Sequence, residues 1–336
     1  MRARFFGTYD ADAHPRVRVL AEGLREHGLT VDACNAPLGL STAARVAMLR
    51  RPWLLPRLAA RLATCWLRLV VRSRRLPGPD VVVVGYLGHF DVRLARRLYP
   101  RTPIVLDHLV GASDTAADRG VHGGLRQRLL ARLDDRALRA ADVVVVDTEE
   151  HRAAVPEAHR GKAVVVPVGA PAEWFAPPAG ADPADPLRVV FFGLYTPLQG
   201  APVIGRALAR LADEPVHVTM IGKGQDLEET RRLAAANPHV TWREWVAPAE
   251  LPALVARHDV CLGIFGTGDK ALQVVPNKVF QGAAAGCAIV TSDTPPQRRT
   301  MGDAAVLVPP GDPAALAAAL LGLAGDRSEL ARMRRL

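Results

Sequence analysis

The segment RVVFFGLYTPLQG, residues 188–200, decides the fold class. Its apolar run carries no polar alternation, closes on Gly193, turns through a polar stretch to Gly200, and feeds a helical pattern from about residue 201. A continuous apolar run of that length is a strand covered on both faces, and strands joined through helices form parallel sheet. The same unit recurs along the chain. Strands are expected at 3–7, 81–85, 103–107, 142–147 and 163–168, then at 188–193, 216–221, 259–264, 288–292 and 304–308. Between the two series lies APAEWFAPPAGADPADP, residues 170–186, whose Pro, Gly and Asp density marks a linker. The expectation is α/β, two doubly wound domains with parallel sheets, at residues 1–178 and 179–336. Ligands bind such sheets outside the carboxyl ends of the strands, so the default site is a cleft between two domains facing each other.

Length and composition fit this. The chain has 336 residues, too many for one ordinary core, with 49% hydrophobic and 5% aromatic content. No stretch holds 18 uncharged apolar residues, so no membrane-spanning helix is expected. The apolar run in MRARFFGTYDADAHP is too short for a signal peptide. Cys34, Cys65, Cys261 and Cys287 form no CxxC pair, and Cys261 and Cys287 read as packed thiols. These features predict a cytoplasmic protein without structural zinc.

The net charge of +9 is local: residues 1–180 hold 27 Lys+Arg against 18 Asp+Glu, while residues 181–336 hold 16 of each. With four lysines against 39 arginines, the excess follows codon bias and argues little for nucleic acid. A nucleic-acid surface would also need stacking aromatics among the basic residues, and Trp53 and Trp66 read as packing residues instead.

Two stretches of the second half could hold a phosphate. A Gly-bounded turn feeding a helix N-terminus exposes unpaired N–H groups, which with the helix dipole attract anions. Gly193, Thr196 and Gly200 are that turn's candidates, although an ordinary strand-to-helix turn reads the same way. FGTGDKALQVVPNKVFQGAAAG, residues 265–286, leaves a strand through a Gly-rich loop. Pro276 suits a helix start and Gly286 its end. Lys270 and Lys278 could serve a diphosphate as mobile point charges. Gln281 lies one turn beyond Lys278 on the same face, so both could meet one ligand. The alternative is a solvated helix face. GxGxxG and P-loop patterns are absent, and Gly222-Lys223-Gly224 is half a fingerprint.

In the first half, Asp107 and His108 close a strand, where a histidine could orient a hydroxyl or act as base. Asp114, Asp118 and Arg119 follow in a polar loop that could equally cap the next helix. The loop GTYDADAHPR, residues 7–16, offers Tyr9, Asp10 and His14, with Asp10 also readable as a turn residue. Arg50, Arg57, Arg61, Arg68, Arg72 and Arg75 fall on one helical stripe, and Pro52 and Pro56 favour a helix from about residue 56. Such a helix could lie on an anionic membrane or hold an anionic partner, or simply be packed with a solvated face.

Together these stretches resemble a bacterial branch of glycosyltransferase family 4, retaining enzymes with the GT-B fold. LGIFGTGDKALQVVPNKVFQGAAAG and SDTPPQRRTMGDAAVLVPPGDPAALAAAL look like the family's donor half, and DTAADRG, ADVVVVDTEEHR and VVVPVGAPAEWF like its acceptor half. The resemblance implies two facing Rossmann-like domains and metal-independent transfer of a sugar from a nucleotide-sugar donor to an acceptor hydroxyl, with retention. It implies no cofactor beyond that donor substrate. By position, Gln281 matches the glutamate that holds the ribose, and Gln273 the glutamate near the donor sugar. Trp245 and Val246 fall at the nucleobase, and Asp107 and His108 where a histidine approaches the transferred sugar. Three departures stand out: Leu194 and Gln199 replace the turn's usual Arg and Lys, both glutamates are glutamines, and the chain ends at Leu336 without the usual helix crossing back to the first domain. A ribose hydroxyl can bond an amide oxygen, losing only charge assistance. The alternatives are a non-catalytic nucleotide-sugar-binding relative and a pseudo-glycosyltransferase using a cyclitol.

Overall fold

The computed structural model describes residues 1–11, 15–39, 55–85, 88–109, 124–175 and 186–336. The chain divides into two compact units, Met1–Val166 and Pro167–Leu336. Each is a six-stranded, wholly parallel sheet covered by helices.

The first unit contains β1 (Arg2–Gly7), β2 (Thr30–Asn35), β3 (Val81–Val84), β4 (Ile104–Asp107), β5 (Val143–Val146) and β6 (Ala163–Val165). Their order is β2-β1-β3-β4-β5-β6. The order reverses at β1, and such a reversal opens a crevice at the carboxyl ends of the flanking strands. Alternating side chains supply the two faces of the sheet. Phe6, Val82, Val84, Ile104, Leu106, Val144 and Val146 pack into one core, and Phe5, Tyr9, Val17 and Val83 into the other.

The arginine helix spans Leu55–Arg75, close to its expected start. Leu58, Leu62, Cys65, Trp66, Leu69 and Val70 turn toward the first core, while Arg57, Arg61, Arg68, Arg72 and Arg75 are exposed. The Trp66 indole donates to Asp91 Oδ1 at 2.8 Å. Asp91 Oδ2 accepts from the Thr8 amide at 2.7 Å and the Thr8 hydroxyl at 2.8 Å, which ties this helix to the loop after β1.

The second unit contains β7 (Leu187–Phe192), β8 (Val216–Ile221), β9 (Val240–Arg243), β10 (Val260–Leu262), β11 (Ala288–Ser292) and β12 (Ala305–Val308). Their order is β12-β11-β10-β7-β8-β9, so the reversal falls between β7 and β10. The helix Arg327–Arg335 buries Leu330 and Met333 in this unit's core, and Arg334 donates to the Gly286 carbonyl at 2.9 Å.

The structure departs from the sequence reading in two respects. It adds β2 and β9, both sheet edges, where one open side relaxes the demand for apolar residues; TVDACN and VTWR are accordingly half polar. The second unit also begins at Pro167 rather than 179. The start of the expected linker is structured because Trp174, in the single turn Ala172–Phe175, stacks on Phe192 with ring centroids 5.5 Å apart. Among the described residues no helix is long and apolar enough to cross a membrane, and all four cysteines are buried and free.

One buried charge pair holds the edge of the first sheet. Arg4 is fully buried on β1 and donates through Nε and Nη2 to the two oxygens of Asp32 on β2, at 2.7 and 2.9 Å. Nη2 also reaches the Pro77 carbonyl, and Nη1 the Tyr99 hydroxyl. This pairing raises the guanidinium pKa further above its usual range. Removing the carboxylate leaves a buried cation facing apolar strands. Asp32→Ala is expected to cost roughly 3 kcal/mol of unfolding free energy in urea titration, and Arg4→Met with Asp32→Ala less than the sum of the two single changes.

Candidate functional site

The site begins with backbone contacts that only glycine permits. Gly200 is left-handed, φ 65° and ψ 33°, and a Cβ there would sit 2.4 Å from the Gly266 nitrogen. At Gly222, φ 125°, a Cβ would stand 1.8 Å from the Gly193 carbonyl oxygen. The turn after β7 is therefore pressed against the loops after β8 and β10, at the point where strand order reverses. Backbone hydrogen bonds complete the junction. Gly193 N donates to Ile221 O at 3.0 Å, Tyr195 N to Lys223 O at 3.1 Å, and Phe265 N to Gln199 O at 3.0 Å. The expected helix follows as Ala201–Ala209.

Lys278 lies beneath this turn, in the first turn of the helix Asn277–Ala284, which begins after Pro276 as expected. It is 5% exposed. Its Nζ donates to Gln199 Oε1 at 2.5 Å and stands 3.7 Å from the centroid of the Phe191 ring. A Cβ on Gly193 would come within 3.0 Å of Nζ. Among the described residues no carboxylate pairs with this ammonium. Burial pushes the lysine pKa down to about 7, with the Cys261 thiol the lesser, opposing influence. An unpaired buried cation is costly, and where a chain retains one beside an open turn the arrangement suits an anionic ligand.

The other second-unit candidates spread around this point. Lys270 and Gln273 are half-buried on the short helix Asp269–Gln273, after the Gly-rich loop that leaves β10. Gln281 is half-buried three residues beyond Lys278. Thr196 is half-buried within the turn, and Lys223 is exposed after β8. Trp245 is 69% exposed after β9, while Val246 packs at the edge of the cluster holding Trp174 and Phe192.

In the first unit, Asp107 and His108 sit at the end of β4, as expected. Asp107 Oδ1 accepts from Arg16 Nε at 2.8 Å, and Arg16 Nη2 donates to the Val166 carbonyl at 2.9 Å. Asp107 Oδ2, Arg16 Nη1 and His108 Nδ1 are buried without a hydrogen-bond partner among the described residues. Burial raises the Asp107 pKa against the lowering effect of Arg16. The His108 ring meets His89 edge to face, centroids 5.3 Å apart, and His89 Nε2 stands 3.2 Å from Asp134 Oδ1. Burial, reinforced by His89 and His151, lowers the His108 pKa to about 4. Its imidazole is therefore neutral near pH 7 and suited to orienting a hydroxyl more than to accepting a proton. His151 Nδ1 pairs with Asp147 Oδ1 at 2.5 Å after β5. Asp10 is half-buried in the loop after β1. His14, Asp114, Asp118, Arg119 and Arg50 lie outside the described residues.

The sequence reading passed over Arg16, His89, Asp134, Asp147 and His151. Arg16 stood one residue past the quoted loop's His14-Pro15, and burial at a helix start has no local signature. His89, in the turn before the helix Asp91–Leu98, and Asp134, on the helix Gly124–Ala140, meet from segments distant in sequence. The run DTEEHR did carry a signal, since Asp147 and His151 share an i,i+4 spacing.

Residues 186–326 match the model of a family described as Glycosyl transferases group 1. No curated protein sequence matches the chain. Among solved structures, sucrose-phosphate synthase from Thermosynechococcus elongatus aligns with TM-score 0.72 at 14% identity, covering 99% of this chain and 92% of that one. HepE of Anabaena in complex with UDP-glucose aligns with TM-score 0.67 at 14% identity and the same coverage of both chains. An α,α-trehalose-phosphate synthase (UDP-forming) from Burkholderia vietnamiensis aligns with TM-score 0.61 at 14% identity, covering 99% and 93%. At such identities the likeness is one of fold. The chain has the GT-B fold, and with its group 1 match it is a glycosyltransferase.

The depressed lysine pKa has a signed consequence for stability. Between the folded value of about 7 and the unfolded value of about 10.4, the unfolded chain binds the extra proton, so this group makes stability rise with pH. Lys278→Met is expected to be more stable than wild type at pH 7, with the gap narrowing toward pH 10. Urea unfolding of both chains across that range is the check; a gap that does not change with pH would mean the lysine is not held unpaired and buried.

Proposed function

We propose that this chain is a retaining glycosyltransferase that moves a sugar from a nucleotide-diphosphate sugar to an acceptor hydroxyl without a metal ion. The observation that carries the reading is the buried, acid-free Lys278 ammonium beneath the Gly193–Gly200 turn, at the carboxyl-end crevice of the second sheet. A leaving diphosphate not neutralised by a metal needs protein cations and oriented N–H groups. Lys278, Lys270 and the turn supply these. Further support comes from HepE of Anabaena, whose structures include complexes with UDP and with UDP-glucose. Gly193, Thr196, Gly200 and Lys223 border the diphosphate. Gln281 holds the ribose, Gln273 lies by the donor sugar, and Trp245 and Val246 receive the base.

In the transfer, the donor's C1–O bond breaks and the acceptor oxygen bonds C1 on the same face. The acceptor proton passes to the departing phosphate oxygen, so no protein carboxylate base is required. His108 and Asp107, with Asp10 and His14, orient the transferred sugar and the acceptor hydroxyl.

A second reading, a nucleotide-sugar binder that does not transfer, or one using a cyclitol, is favoured by the glutamines at 273 and 281. Calorimetric titration with UDP, GDP, dTDP and ADP, each with and without EDTA, separates these. Binding of one nucleotide in EDTA, weakened about tenfold or more by Lys278→Ala, is the expected result. Tight binding of the matching sugar nucleotide with neither transfer nor hydrolysis would move the second reading ahead. Binding of none would remove both.

The exposed arginines of the helix Leu55–Arg75 support a peripheral membrane role. Leu67, 65% exposed, and Val71, 41% exposed, flank the stripe, giving the basic face an apolar margin. Such a face suits an anionic bilayer, at about 1 kcal/mol per basic residue near the surface. Reversing Arg61, Arg68 and Arg72 to Glu is expected to lower sedimentation with phosphatidylglycerol vesicles at least tenfold, and to leave phosphatidylcholine vesicles unaffected. Unchanged vesicle binding together with unchanged acceptor turnover would retire this role.

A further inference from the structure

At the amino end of the second sheet, away from the candidate site, two histidines stand side by side. His217 is the second residue of β8, and His239 immediately precedes β9. Val218 pairs with Val240 in the parallel register, so one residue back His217 lies opposite His239. Both are exposed, and their rings stack with centroids 5.0 Å apart and planes at 21°. That spacing is close to the separation of neighbouring strands, so the stack follows from the register. The backbone beneath it is fixed. Val218 N donates to the His239 carbonyl at 3.0 Å. His239 N donates to Asn237 Oδ1 at 2.8 Å, and the buried Asn237 donates from Nδ2 to the Leu208 carbonyl at 2.7 Å.

Two imidazoles on adjacent strands form a chelate whose backbone needs no ordering when an ion arrives. Imidazole nitrogen binds zinc at about 2.0–2.1 Å and suits copper and nickel as well. Small rotations of the two exposed side chains bring one nitrogen of each ring to a shared ion. The neighbouring groups set how strongly it is held. His258 has both ring nitrogens engaged, Nε2 with Thr219 Oγ1 and Nδ1 with the Leu254 carbonyl, each at 2.9 Å, and does not join. Arg188 lies opposite His217 on β7. Its Nη2 and Arg334 Nη1 share Asp259 Oδ1, at 3.1 and 3.5 Å. One positive charge is in excess there, which weakens the attraction for a cation. Among the described residues no group of three His, Cys, Asp or Glu side chains is placed to hold a metal, so water fills the remaining coordination positions.

We propose that His217 and His239 form a two-imidazole site for a divalent late transition ion, completed by water. The ion staples β9, an edge strand with a single neighbour, to β8. Copper binds more tightly than nickel or zinc, the usual order for nitrogen ligands. Protons compete with the ion for the same two nitrogens. The site does not depend on the donor-binding reading. It lies at the end of the sheet opposite the turn after β7 and takes no part in sugar transfer.

The test is calorimetric titration of the full, untagged chain with CuCl2, NiCl2 and ZnCl2 in HEPES at pH 7.5. One ion per chain is expected, with copper tightest. His217→Ala and His239→Ala should each weaken binding at least tenfold, since even an outer-shell partner of a ligand is worth about that much. Lowering the pH to 5.5 should weaken wild-type binding at least tenfold. Electron paramagnetic resonance of the wild-type copper complex should show two imidazole nitrogens on the metal, and each single variant should show one fewer. Both side chains are exposed, so the variants should unfold at the wild-type temperature in EDTA, which separates lost ligation from lost folding. Wild-type affinity in the double variant places the ion elsewhere and overturns the proposal. So does a loss confined to one of the two histidines, a single imidazole in the wild-type spectrum, or no binding up to millimolar metal.

Discussion

The second unit is organised by backbone touching backbone. At Gly222 and Gly200 the loops after β8 and β10 meet the turn after β7 at distances that exclude even a methyl group. Hydrogen bonds among Gly193, Tyr195, Gln199, Phe265 and their partners then lock the three loops together. Because β7 and β10 are neighbours at the reversal of strand order, this contact forms the floor of the crevice. The helix Asn277–Ala284 is aimed at that floor by its start after Pro276, and its second residue is the lysine. Moving any loop by the width of a side chain would separate Lys278 from Gln199.

The first unit solves a different problem at its strand ends. Its crevice gathers groups that burial makes reluctant to ionise. Asp107 is shifted up and His108 down, both by desolvation first. Arg16 compensates Asp107 and also grips the Val166 carbonyl, the last residue of the unit. The same guanidinium therefore links the start of the helix Pro15–Glu26, the end of β4 and the exit of the chain from the first sheet. A neutral imidazole beside a paired carboxylate is suited to hydrogen bonding with hydroxyl groups and less suited to proton abstraction. That fits a transfer in which the leaving phosphate receives the proton.

Most of the fold was legible because its strands are buried on both faces and read as unbroken apolar runs. The strands that escaped, β2 and β9, are edges with polar residues at Thr30, Asp32, Thr241 and Arg243. The turn after β7 and the lysine helix were legible because Gly and Pro punctuate them. What could not be read was burial. In sequence, Lys278 is as compatible with a solvated helix face as with a buried ammonium, since two apolar neighbours do not reveal a loop folding over them. Contacts between distant segments were equally invisible. Arg16 with Asp107, and Gln199 with Lys278, are separated by 91 and 79 residues. The arginine stripe shows the converse case. Its periodicity was plain, and the packing of Leu62, Trp66 and Leu69 follows directly from it.

The glutamines gain their sense from charge balance. The pattern that this chain resembles sets an Arg and a Lys in the turn against two glutamates on the following loop and helix. Here Leu194, Gln199, Gln273 and Gln281 are uncharged, so two positive and two negative charges are absent together. The net charge around the turn is the same, but every remaining long-range interaction is weaker, and Lys278 stands buried without a carboxylate partner among the described residues. Burial is what lowers the Lys278 pKa, and among the described residues no carboxylate pairs with the ammonium to offset it. The same absence leaves its attraction for an incoming anion uncontested by a neighbouring carboxylate.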